Sequence, residues 1–163
     1  AAMASRGRVT EAQLLAALPR NDNPFLGIRG RTNAPVWGGL SDYGVYAPAL
    51  KKSLAVLGVK SEMLSGQDYE TFKNAVVENL RAGRAIVWWH TWQESYQAPV
   101  LAKTSDGAMV KLVPYEHSSV IVGANERGVI YHDPYDATIR LASWADFKRV
   151  SAYFDNMALA ILP

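Results

Sequence analysis

The sequence predicts an α+β fold, with helices first and mostly antiparallel strands after them, and three observations predict it. Apolar residues at helical spacing crowd the first half of the chain. Two hairpin signals occupy the second half, one around Asp106-Gly107 and one around Asn125–Gly128. Strands and helices do not alternate in the βαβ manner that builds a parallel sheet. At 163 residues and 17.9 kDa the chain suits one domain over 1–163, able to bury about two thirds of its unfolded surface.

Each element has a local reason. Thr10-Glu11-Ala12-Gln13 reads as a capping box, and Leu14, Leu15 and Leu18 follow before Pro19, so a short helix covers about 10–18. Residues 1–7 read as the end of an earlier helix closed by Gly7, as if the chain began inside an element. Pro19, Pro24, Pro35 and five glycines make 19–45 an irregular loop, while Phe25, Ile28, Val36, Trp37 and Tyr43 give it side chains to pack. Leu50, Leu54 and Leu57 mark a helix over about 46–57, ended by Gly58. A short strand spans Val59–Leu64. Ser65–Asp68 then open a helix carrying Phe72, Val76 and Leu80, closed by Gly83. Ala85–Trp89 is a continuous apolar run, as a buried central strand requires. The first hairpin covers 97–113, with a two-residue turn at Asp106-Gly107; the second pairs Ser118–Val122 with Val129–Asp133 and stops at Pro134. A strand near Thr138–Leu141, a helix over Trp144–Val150 capped by Ser143, and a strand over Met157–Leu162 complete the chain.

Composition removes several functions. There is no cysteine, hence no disulfide, thiolate metal site or thiol nucleophile in these 163 residues. Seventeen Lys and Arg against fifteen Asp and Glu leave +2, too little to imply a nucleic-acid partner. Residues 1–31 hold five Arg against Glu11 and Asp22, a local excess that permits an anionic contact. No apolar run approaches the roughly 20 residues of a membrane span, and no signal peptide is visible.

Three histidines carry the candidate chemistry: His90 at the end of the central strand, His117 opening the second hairpin, and His132 near its close beside Asp133. His117 reads as a general base and Asp133 as the carboxylate that orients it. The hairpin register argues against that pairing. With the turn centred on Glu126-Arg127, Asp133 falls opposite Val120 and His117 opposite Asp136, so the two meet only if the strands twist or bulge. On pattern alone a strand-end histidine and an aspartate opening a turn explain the same residues. Neither Ser118 nor Ser119 is aimed at the His117 ring by strand geometry, and Ser5 sits away from any helix N-terminus, so no nucleophile is visible. A zinc site from His90, His117 and either His132 or Asp133 lacks any fixed ligand spacing, and unrelated histidines are the simpler reading. Neither a metal nor a cofactor is expected. Trp88 and Trp89 read as core; Trp89, with Trp92 and Tyr96 in the following loop, can instead line a peptide groove.

These residues resemble a known family. Glu116-His117-Ser118-Ser119-Val120-Ile121-Val122-Gly123 and Tyr131-His132-Asp133-Pro134-Tyr135 look like the histidine and aspartate blocks of the papain-like cysteine peptidases of the bacteriocin-processing, double-glycine type. The likeness is closer to their stand-alone bacterial peptidase-like relatives. Ser143–Phe147, Asp155–Leu159, Asp22–Gly30 and Asp42–Pro48 extend it over nearly the whole chain. The resemblance implies a papain-like fold, N-terminal helices packed on an antiparallel sheet, with His117 as base and Asp133 as orienter. It also implies a cysteine at a helix start, after a glutamine that helps form the oxyanion hole. Both would fall before residue 1, so the domain is expected to lack its first helical turns and these residues alone to be inactive. Two functions follow: a truncated cysteine peptidase, which is favoured, or a non-catalytic module that binds peptides. The resemblance further implies a peptide or protein substrate and a bacterial, exported or cell-envelope location. A second copy could supply the missing helix, which would make a homodimer or an element swap.

Overall fold

A strand buried along its whole length organises the molecule. The computed structural model describes residues 7–31, 38–66 and 68–163. The helix end expected over residues 1–6, Ser5 within it, and Val36 and Trp37 of the loop lie outside them. Chain order is α1 (Glu11–Ala17), α2 (Ala47–Val56), β1 (Ser61–Met63), α3 (Tyr69–Arg81), β2 (Ile86–Thr91), β3 (Val100–Lys103), β4 (Met109–Leu112), β5 (Glu116–Asn125), β6 (Gly128–His132), β7 (Ile139–Ser143), α4 (Trp144–Tyr153) and β8 (Ala158–Ile161). Six strands form one antiparallel sheet in the order β1-β8-β2-β5-β6-β7, and β3-β4 is a separate ribbon. The α+β class and the antiparallel sheet match the expectation.

The helices begin where their caps dictate. Thr10 and Gln13 make the reciprocal capping box of α1. Asp68 accepts the backbone N–H groups of Glu70 and Thr71 to start α3, and Ser143 accepts that of Asp146 to start α4. The helices cover both faces of the sheet, whereas the sequence pattern had not distinguished the faces. On one face Leu14, Leu18, Leu50 and Leu54 of α1, α2 and their ends pack with Val87, Trp89, Val120, Leu159 and Ile161. On the other, Phe72, Val76, Phe147 and Val150 of α3 and α4 pack with Ile86, Trp88, Ile121, Val129 and Tyr131. All six residues of β2 are therefore buried, and its run of large apolar side chains follows from that position.

Two hairpin details correct the sequence reading. The β3-β4 connection is longer than two residues: Thr104 N–H donates to Ala108 O, leaving Ser105-Asp106-Gly107 as the loop, with Gly107 at φ +88°. In β5-β6 the pairing near the turn is as expected, Asn125 opposite Gly128 and Ala124 opposite Val129. It then shifts by one residue, so that Ile121 faces Tyr131 and Val120 faces His132. Val122 is the extra residue, a β-bulge.

The loop over 19–45 packs, as its apolar residues require. Ile28 and Tyr43 are buried, and Arg29 Nε donates to Leu40 O at 2.7 Å while its guanidinium also bonds Asp22 O. A hydroxyl relay ties the loop to β4: Val113 N–H donates to Tyr43 O, Tyr43 O–H to Tyr46 O, and Tyr46 O–H to Lys111 O. Among the described residues no helix is long and apolar enough to cross a membrane.

Candidate functional site

The Val122 bulge decides which side chains share a face. Residues opposite one another in an antiparallel ladder point the same way. In the unbulged register Asp133 would follow Val120 onto the face covered by α1 and α2. The extra residue moves it onto the face of Ile121, Ser119 and His117, covered by α3 and α4. His117 Nε2–H accordingly donates to Asp133 Oδ1 at 2.7 Å. The same parity carries His132 with Val120 to the opposite face.

Asp133 is 2% exposed and surrounded by donors. Its Oδ1 also accepts the Tyr135 backbone N–H at 3.0 Å, and Arg140 Nε lies 3.2 Å from Oδ2. The turn after Pro134 therefore supplies a backbone donor while β7 supplies a cation. His117 keeps 15% of its side chain exposed. With Nε2 committed to Asp133, Nδ1 is the ring nitrogen without a hydrogen bond among the described residues.

His90 lies directly opposite His117 in the β2-β5 ladder, with ring centroids 5.2 Å apart. Its Nδ1–H donates to Thr91 O at 2.9 Å, and its Nε2 accepts from Ser119 Oγ–H at 2.9 Å. Complete burial, and next the nearby His117, hold its pKa well below 6.5, so it is a neutral, fully bonded core imidazole stacked on Trp88. Ser119 is spent on that bond and is not aimed at His117. Among the described residues no group of three or more His, Cys, Asp or Glu gathers to hold a metal.

The three aromatic residues expected to line a groove part company. Trp92 packs edge-on against His117 with centroids 5.0 Å apart and against Tyr135 at 4.8 Å. Trp89, on the α1–α2 face, is 1% exposed and donates its indole N–H to Val45 O. That places it in the core and corrects its assignment to an open groove. Tyr96 is 74% exposed and meets Tyr153 at the end of α4, not the His117 ring.

Trp92 is aimed by an unusual turn. Gln93 and Glu94 both adopt left-handed backbone, at φ 51° and 52°, a conformation that costs non-glycine residues energy and collects at functional sites. Trp92 N–H donates to Tyr115 O, and Glu94 accepts the Tyr131 hydroxyl, so the turn is clamped to the residue before β5 and to β6. Burial raises the Glu94 carboxyl and the Tyr131 phenol above their ordinary ranges. Sequence reasoning missed Glu94, Tyr131 and Arg140. Arg140 alone left a trace, a charged residue alternating with Ile139 and Leu141. That strand turns its apolar side chains outward, with Ile139 and Leu141 exposed and Arg140 directed at Asp133.

Comparisons agree with this fold. Residues 7–158 match the sequence profile described as the Peptidase C39 like family. A crystal structure of a proposed C39-like peptidase from Bacillus anthracis superposes with a TM-score of 0.71 at 20% identity, covering 99% of this chain and 85% of that one. At that identity the likeness speaks for the fold. No curated protein matches the sequence.

Proposed function

This chain belongs to the Peptidase C39 like family, and from that premise we propose that it engages peptides at the His117–Asp133 end of the sheet, with His117 as the base and Asp133 as its orienter. One observation carries the reading: Nε2 of His117 is held by a buried carboxylate while Nδ1 stays available. That arrangement fixes the tautomer, leaves the second nitrogen without a hydrogen bond among the described residues, and stabilises the imidazolium formed when it takes a proton. Trp92 adds an aromatic wall beside the ring, suited to an apolar side chain of a peptide.

The 163 residues contain no thiol, so alone they bind without cleaving. The test is titration of the intact protein with a panel of peptides of varied sequence, followed by NMR of the His117 ring and by calorimetry. Peptides that shift the His117 and Trp92 signals, and lose at least tenfold affinity against Trp92→Ala, support the reading. Peptides that bind without disturbing either residue, or a panel without any binder, overturn it.

The open Nδ1 favours a second reading, hydrolysis once a thiol from outside these residues reaches it. The imidazole would take the thiol proton and the thiolate would attack the peptide carbonyl. Cleavage by a longer product of the same gene, abolished by His117→Ala and by thiol alkylation, is the expected result. Cleavage that survives His117→Ala would remove the pair from the mechanism.

A further inference from the structure

We propose that Arg140 on β7 is a positioning residue of this site, which holds Asp133 and Trp92 in place around His117 and sets a positive charge behind the carboxylate that His117 binds. The inference rests on the reading of His117 as the base.

The contacts form a closed circuit. Arg140 Nε lies 3.2 Å from Asp133 Oδ2, and Asp133 Oδ1 takes the His117 Nε2–H at 2.7 Å. The His117 ring meets Trp92 at 5.0 Å between centroids, and the Arg140 guanidinium carbon stands 5.7 Å from the Trp92 ring centre. A second arm, Nη2, bonds Asp136 Oδ2 at 2.6 Å and so fixes the guanidinium from outside. Arginine suits this place because its planar fork can bond Asp136 through Nη2 and Thr138 Oγ1 through Nε, keep its charge 3.2 Å from Asp133 and still lie against an aromatic face; a lysine ammonium cannot do all of this.

The register explains how Arg140 reaches the site. It lies opposite Tyr131 in the β6-β7 ladder, on the face that holds His117 and Asp133. The electrostatic consequence follows from who faces His117. His90, neutral, comes from β2 and Asp133 from just after β6; around them stand Tyr131, bonded to Glu94, and Asp136, which Arg140 bonds. Glu116, on the strand of His117 itself, points to the other face, and the cation of the set is Arg140. A carboxylate partner favours the protonated form of a histidine, and a nearby like charge opposes it. By sharing Asp133 and placing a like charge behind it, Arg140 opposes that effect.

The test is an NMR titration of the His117 ring in the whole 163-residue protein. Arg140→Gln should raise the His117 midpoint by about one pH unit. Arg140→Lys, which keeps the charge but loses the fork, should leave the midpoint nearly in place while changing the Trp92 fluorescence. A folded Arg140→Gln protein with an unmoved midpoint overturns the proposal, because a merely structural arginine would alter stability and not the titration. Should neutral variants fail to fold, the wild-type protein decides: the Arg140 Nε–H resonance should shift at the His117 midpoint, and its indifference would sink the coupling. No readout involves a peptide, so failure here leaves the peptide-binding reading standing, and failure of that reading leaves this one testable.

Discussion

Asp133 and Glu116 are carboxyl groups at the same end of the sheet, on adjacent strands and opposite faces, and they solve burial in opposite ways. Asp133 accepts N–H groups from His117 and Tyr135 and is paired with the Arg140 charge, whose Nε–H donates to Thr138 Oγ1. Glu116 has no hydrogen-bond or ion-pair partner among the described residues; its Oε2 lies where a Cβ on Gly44 would be 3.4 Å away, beside Tyr43 and Tyr46. Glu116 is half-buried, and the loss of water around its carboxyl pushes it up to about 8, so it tends to hold its proton at physiological pH. What the difference teaches is that burial alone does not set the state of a carboxyl group. Donors turned toward it make a carboxylate useful, and their absence makes it hold its proton.

The largest effect should come from breaking the satisfied side. Asp133→Ala removes the acceptor of the His117 Nε2–H and the buried anion beside the Arg140 charge, and should cost about 3 kcal/mol in denaturant unfolding. Freed rotation of the His117 ring should accompany it in NMR spectra.

The unsatisfied side should respond to pH. The unfolded Glu116 titrates near 4.5 and the folded one near 8. Between those values the native state holds the proton that the unfolded chain has released, so stability falls as pH rises across that window and levels above it. Glu116→Gln should flatten this slope and leave the variant more stable than wild type at pH 9 by a few kcal/mol. A wild-type stability that rises steadily from pH 5 to 8 while the Glu116→Gln difference stays constant would show that Glu116 has a partner after all.

A smaller effect belongs to the same face as Asp133. Ser119→Ala strips the donor from His90 Nε2 in a fully buried place and should cost about 1–3 kcal/mol. The depressed His90 has the opposite sign to Glu116: its contribution is present above about pH 6.5 and is lost as pH falls below it. In the Glu116→Gln background, where that opposing slope is removed, denaturation curves at pH 7 and pH 5 should therefore diverge, with the acid curve weaker.

The smallest effect sharpens the geometry. Deleting Val122, which is exposed, regularises the β5-β6 ladder but preserves the pairing of Ile121 with Tyr131. The His117–Asp133 bond should survive and the stability change should stay near 1 kcal/mol. Loss of that bond in the deletion variant would mean that the bulge bends the strand into place rather than correcting its phase.

Much of the fold was legible in the sequence because its signals are local. The capping box at Thr10, the Asp68 and Ser143 caps, and the apolar run of β2 depend on neighbours within a few residues. The site was legible only in part. His117 and Asp133 could be named, but their register pointed to opposite faces, and only the one-residue shift at Val122 joins them. Arg140, Glu94 and the Tyr43–Tyr46 relay left little trace, since each acquires its partner from a distant segment.

By itself the sequence determined the α+β class, the helix starts, the central strand, and the two residues that define the candidate site. Tertiary structure alone decided which face each side chain takes, that Trp89 is core while Trp92 borders the His117 ring, and that Asp133 is satisfied while Glu116 is not. The reason is physical. A strand's side chains alternate with period two, so one extra residue inverts every assignment beyond it, and whether a bulge is admitted depends on packing against helices far away in the chain.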